Sequence, residues 1–201
     1  QSLEGKMKKK SHISLAKYII KNMQIEELTI HEKAFYVGSI LPDCVPSFIT
    51  RRHSIDETFY ILRDEIRKVT EDYDIGKGMN SYYWRHLGVI THYIADYFTF
   101  PHNSIFTGTI KEHCYYEIDL MKSLKEYVQV QKPIYSQKSF QTVDDICNFI
   151  LEMHKKYLKA IKAVKVDCAY IVNLCYKVVS SILLFFETMV HNGKERVPVI
   201  I

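Results

Sequence analysis

Apolar residues along this chain recur mostly at three- and four-residue spacing, the period of amphipathic helices, and no strand pair with a turn signal is visible. Seven glycines and five prolines are too few to break the pattern often, and there is neither a low-complexity run nor an internal repeat. The fold class is therefore all-α, a single-domain bundle of about seven or eight helices. Ser11 is placed to cap a first helix through Ile13, Leu15, Ile19 and Ile20, and Thr29 precedes a second carrying Ala34, Phe35 and Ile40 up to Leu41 and Pro42. Further helices are expected over residues 55–70, 81–98, 109–128, 143–164 and 167–191, with a surface loop over 129–142 around Pro133 and Tyr135. Pro101 disfavours helix in the residue before it and so closes the helix over 81–98.

Composition narrows the class. A chain of 201 residues with 47% apolar content supports one sizeable core and is short for two. The net charge of +4 is small, and basic and acidic residues intermingle, so no basic stripe points to nucleic acid. Five cysteines without a CxxC spacing suggest neither a disulfide framework nor a cysteine zinc site, and a reducing, cytoplasmic location is expected. Residues 1–6 read as vector-derived, ahead of an initiator at Met7 and one domain over 7–201. The stretch 169–190 approaches the length of a membrane span, but Asn173, Lys177 and Glu187 within it favour a buried helix.

The candidate chemistry lies in two helical pairs, His92 with Asp96 and His113 with Glu117, joined through Pro101 and His102. Residues four apart share a helix face with Cβ atoms about 5–6 Å apart, so each pair can converge on one ion. A single pair is also the pattern of an ordinary ion pair; two pairs with a histidine between them suggest a metal. Mixed imidazole and carboxylate donors suit zinc, with manganese and iron as alternatives. Leu87, Val89, Ile90, Tyr93 and Ile94 leave little polar face around His92, so Asp96 would need a compensating charge, which a cation supplies. His12, Asp43 and His53 join the candidates, whereas residues 118–201 offer only His154 and His191, both expected at the surface. His86 points away from the His92 face, His31 suits a cap or solvent, and Cys44 and Cys114 are expected to pack. Tyr82, Tyr83, Tyr97, Phe98 and Phe100 fit either a pocket wall or core.

These residues resemble the bacterial zinc-dependent phospholipase C family. The likeness runs through Ser11 and His12, the run Gly38 to Asp43, Arg51 to His53, Leu87 with Gly88, the ten-residue step from His92 to His102 with Asp96 inside it, and His113 with Glu117. It covers about residues 11–120. The resemblance implies a helical bundle around two or three zinc ions. One zinc would take Asp43, His53, His92 and Asp96; a second, His102, His113 and Glu117; a third, His12 and a bridging Asp96. In the family the third is completed by an N-terminal tryptophan, whereas the one tryptophan here is Trp84. The implied reaction is cleavage of a phospholipid by a metal-activated water, giving diacylglycerol and a phosphorylated headgroup, with Asp43 as ligand, general base or both. The implied partner is a phospholipid or other phosphodiester, met at a transient membrane surface. Fungal single-strand-specific nucleases look similar in the same core but end their ligand series in aspartate where this chain has Glu117. A non-catalytic, metal-stabilised binding module is the other alternative.

Overall fold

A computed structural model describes residues 3–45, 52–131 and 140–195. Eight α-helices and three short 3-10 turns account for most of them, with no strand among the described residues. The helices are α1 (Leu3–Met23), α2 (Glu26–Ile30), α3 (Glu32–Ile40), α4 (Ile55–Lys68), α5 (Ser81–Tyr97), α6 (Ile110–Val130), α7 (Val143–Lys159) and α8 (Val164–Glu195). The chain is all-α, as its periodicity predicts.

Helix starts follow local chemistry where the signal is strong. Thr109 and Glu112 form a reciprocal capping box at α6, and Thr142 and Asp145 form another at α7. The Asn80 side chain accepts from the backbone N–H groups of Tyr82 and Tyr83 at the start of α5. Three expectations need correction. Ser11 is no cap, because α1 begins at Leu3 and carries Ser11 and His12 in its interior; the unbranched lysines before Ser11 favour helix, so nothing stops it there. Thr29 lies inside α2, and the break falls instead at His31, the N-cap of α3. Helix α7 ends at Lys159, and α8 starts at Val164 and runs to Glu195, past the expected His191. Pro133 and Tyr135 of the expected loop lie outside the described residues, as do Gln1 and Ser2.

Helix α5 is the axis of the bundle. From Tyr83 to Tyr97 all but Arg85 and His86 are buried, so it must be covered on every side. Helices α3, α4 and α8 pack against it, with α1 alongside. The α3–α5 crossing is the tightest because it has no side chains at its centre. A Cβ on Gly38 would land on the Arg85 carbonyl, and one on Gly88 would lie 2.7 Å from the Ser39 nitrogen. On α1, His12, Leu15, Ala16 and Ile19 share one buried face, so the imidazole is carried inward with the apolar residues.

The long apolar helix α8 is sufficient in length and composition to cross a membrane, yet 67% of its apolar window is buried against the bundle. None of the five cysteines forms a disulfide. Cys44 is exposed, contrary to the expected packing, because it follows the Leu41–Asp43 turn at the rim of the bundle. Tyr83, Tyr97 and Phe98 are core, whereas Tyr82 stays exposed.

Two predictions follow from this packing. Gly88→Ala should cost about 2–3 kcal/mol, because backbone atoms of α3 must move to admit the methyl; an unchanged urea midpoint would refute the close crossing. The second concerns Glu65, buried between α4 and α5, which pairs with His86 and with Lys68 at 2.8 Å. Burial alone raises its carboxyl, but the bonds and charges of His86 and Lys68 outweigh burial and hold it below the usual range. Its stabilisation is therefore present above the ordinary carboxylate range and lost as the pH falls through the depressed value. Glu65→Gln should be less stable than wild type at neutral pH and converge with it in acid, which denaturation over a pH series checks. A gap independent of pH would contradict this.

Candidate metal centre

Six segments converge at one end of α5. Helix α1 brings His12, the 3-10 turn Leu41–Asp43 brings Asp43, and the residue before the Ser54 N-cap of α4 is His53. Helix α5 supplies His92 and Asp96, the 3-10 turn Phe100–His102 supplies His102, and α6 supplies His113 and Glu117. All eight candidate residues named from the sequence thus meet in one region.

Asp96 is the hub. Its Oδ2 lies 2.9 Å from His53 Nδ1, 3.2 Å from His92 Nε2 and 3.7 Å from His102 Nδ1, while Oδ1 lies 3.4 Å from His12 Nε2. Beside it, Glu117 Oε1 is 3.1 Å from His102 Nε2 and 2.8 Å from His113 Nε2. His102 therefore reaches toward both carboxylates, one from each ring nitrogen. Three sets of donor atoms fall within 4.8 Å of one another: His12, Asp43 and His92; His53, His92 and Asp96; and His102, His113 and Glu117.

Each ring is oriented by its surroundings. His92 Nδ1–H donates to the Ser39 carbonyl at 2.9 Å, which leaves Nε2 facing the cluster. That contact depends on the Gly38 and Gly88 crossing, since Ser39 follows Gly38 directly. The His12 ring stacks on His92 with centroids 4.0 Å apart. Burial lowers the His12 pKa and the neighbouring His92 lowers it further, leaving a neutral imidazole favoured. For His92 burial also lowers the pKa, but the charge and hydrogen bond of Asp96, the Asp43 charge and the Ser39 carbonyl together outweigh it and the net direction is upward. Burial raises the Asp96 carboxyl, yet the His102 and His92 charges and the His12 and His53 contacts hold it well below the usual range.

The donor chemistry fits zinc. Tetrahedral nitrogen and oxygen ligands about 2.1 Å from zinc lie about 3.4 Å from each other, a value that the imidazole–carboxylate separations here, from 2.8 to 4.0 Å, bracket. Asp43 carries the clearest sign. Its Oδ1 stands 3.9 Å from His53 Nδ1 and 4.0 Å from His92 Nε2, beyond hydrogen-bond reach, and its buried Oδ2 has no hydrogen-bond partner among the described residues. A buried carboxylate oxygen of this kind is costly unless a cation answers it.

A narrow cleft, with an internal volume of about 30 Å³, runs beside the cluster. Its lining combines His12, Asp96, His102 and Glu117 with apolar residues that include Leu15, Leu120, Leu124 and Ile171.

The remaining histidines lie elsewhere. His86 pairs with Glu65, His31 meets the Ser81 hydroxyl at 3.0 Å, and His191 is exposed. His154 is the exception to expectation. It is buried rather than at the surface, with Nε2 2.7 Å from Asn103 Oδ1 and its ring edge-on to Phe98. Asn103 in turn donates to the Thr99 and Tyr97 carbonyls, bracing the turn that carries His102. Sequence reasoning also passed over the Ser39 carbonyl and Asp167. The signal for Asp167 was an acid next to a long apolar run, at a helix start where the dipole alone would explain it.

A family model described as zinc dependent phospholipase C matches residues 11–164, a span that contains all eight candidate donors. Comparison with curated proteins and with solved structures gave no match. The family match extends over more than half of the chain, and with the imidazole and carboxylate cluster inside it this chain belongs to the zinc dependent phospholipase C family.

Proposed function

We propose that this chain is a zinc-dependent phosphodiester hydrolase that cleaves a phospholipid on the glycerol side of its phosphate. The observation that supports this best is the eight-residue donor cluster, four of whose members line a cleft together with apolar side chains. A phosphate belongs against the donors and an acyl-bearing glycerol against the apolar side chains. The modest charge, without a basic stripe, supports a lipid over a polynucleotide.

In this reading Asp43, His53, His92 and Asp96 hold one zinc, His102, His113 and Glu117 a second, and His12 with Asp96 any third. Zinc, when bound, supplies Lewis acidity toward a phosphoryl oxygen and brings the pKa of a bound water to about 7. The protein's part is to hold the rings with one nitrogen inward and to provide a proton acceptor. Asp43 suits that second role, because its buried Oδ2 lacks a hydrogen-bond partner among the described residues. Water oxygen joins phosphorus and the bond from phosphorus to the glycerol oxygen breaks; the glycerol oxygen takes up the proton that Asp43 accepted from the water and leaves as diacylglycerol.

Metal analysis of purified variants tests the ligand set: His92→Ala should lose zinc while His191→Ala keeps the wild-type content, and equal contents would refute the assignment. Incubating the zinc-loaded protein separately with phosphatidylcholine vesicles and with single-stranded oligonucleotides tests the reaction. Diacylglycerol release is expected. Preferred cleavage of the oligonucleotide would make the chain a nuclease, and tightly held zinc without turnover on either would make it a binding module.

A further inference from the structure

Asp167 opens α8 just beyond the matched family region and is fully buried. Its carboxylate gathers three donors. Oδ2 accepts from the Phe100 backbone N–H and the Tyr116 hydroxyl, both at 2.8 Å, and Oδ1 accepts from the Tyr157 hydroxyl at 2.8 Å. Two of these three lead to the candidate metal centre. Phe100 begins the turn that ends in His102, and Tyr116 sits on α6 between His113 and Glu117. The Phe100 ring packs against both Tyr116 and Phe106, and Phe106 lies edge-on to His113. One carboxylate oxygen therefore joins the two backbone segments that carry His102, His113 and Glu117.

We infer that Asp167 is the positioning residue of the His102–His113–Glu117 group, fixing the distance between the His102 turn and α6 so that the three side chains meet one zinc. This rests on the reading of that group as a zinc site. Asp167 touches neither metal nor substrate; it acts through Phe100 and Tyr116. The third donor, Tyr157, belongs to α7, which carries none of the eight residues, and so provides an internal control. A carboxylate suits the position because all three partners donate. Asparagine has the same shape but turns an N–H₂ toward one of those donors.

Wild type, Asp167→Asn, Tyr116→Phe and Tyr157→Phe are titrated with zinc alone against a chromogenic chelator, and the metal-free proteins are compared by circular dichroism and thermal melting. Asp167→Asn and Tyr116→Phe should weaken one class of zinc site by about 10- to 100-fold with helix content intact. Tyr157→Phe should lower the melting temperature and leave zinc affinity unchanged. Should Asp167→Asn not fold, Tyr116→Phe against Tyr157→Phe decides alone. Zinc affinity unaltered in Tyr116→Phe, or weakened equally in Tyr157→Phe, would overturn the inference while leaving the zinc centre standing. A wild-type chain that binds no zinc would remove both.

Discussion

A carboxylate in the last turn of a buried helix sets the terms for the rest of this structure. Asp96 is 6% exposed on α5 and depends on surrounding groups to offset its desolvation. Four imidazoles from α1, the segment before α4, α5 itself and the His102 turn surround it. Segments far apart in sequence are thus drawn to one point by a single charge. The arrangement is demanding in both directions, since the imidazoles cannot all be protonated beside one carboxylate, and a cation relieves them as much as it relieves Asp96.

The helix that carries Asp96 is placed by absence as much as by contact. Gly38 and Gly88 let two backbones approach until the Ser39 carbonyl can orient His92. The ring is then held from behind by the protein and faces the cluster with its other nitrogen. Distance between helices and direction of a ring are therefore one constraint, expressed at two residues. Asn103 and His154 on one side, and Asp167 on the other, do the same for the His102 turn.

How much of this could be read from the chain depends on whether the cause was local. The pairs His92 with Asp96 and His113 with Glu117 were legible because helical periodicity alone puts them together, and the starts of α6 and α7 were legible to within a residue from the same periodicity. Asp43 and His53 stood among the candidates only as individually weak signals and took a ligand's place through family likeness, since nothing in their neighbours reveals that a loop will bring them to α5. The interior position of Ser11 was missed because a serine before an apolar run looks like a cap unless the preceding lysines are also counted as helix. His154 was misjudged because its partners, Asn103 and Phe98, lie about fifty residues away, where periodicity says nothing. Gly38 and Gly88 stood in the motif without a reason until the crossing supplied one.

The bond from Phe100 to Asp167 also bears on the order in which the protein is made. Every one of the eight candidate donors has left the ribosome once Glu117 has, whereas the partner that steadies the His102 turn lies fifty residues later in the chain. At about 5–20 residues per second that is an interval of roughly 3–10 seconds in a nascent chain. Donors are then present but the turn is not yet tied to α6. The settled geometry of the His102 side of the cluster is thus a late event in biosynthesis, reached only when the first turn of the C-terminal helix emerges.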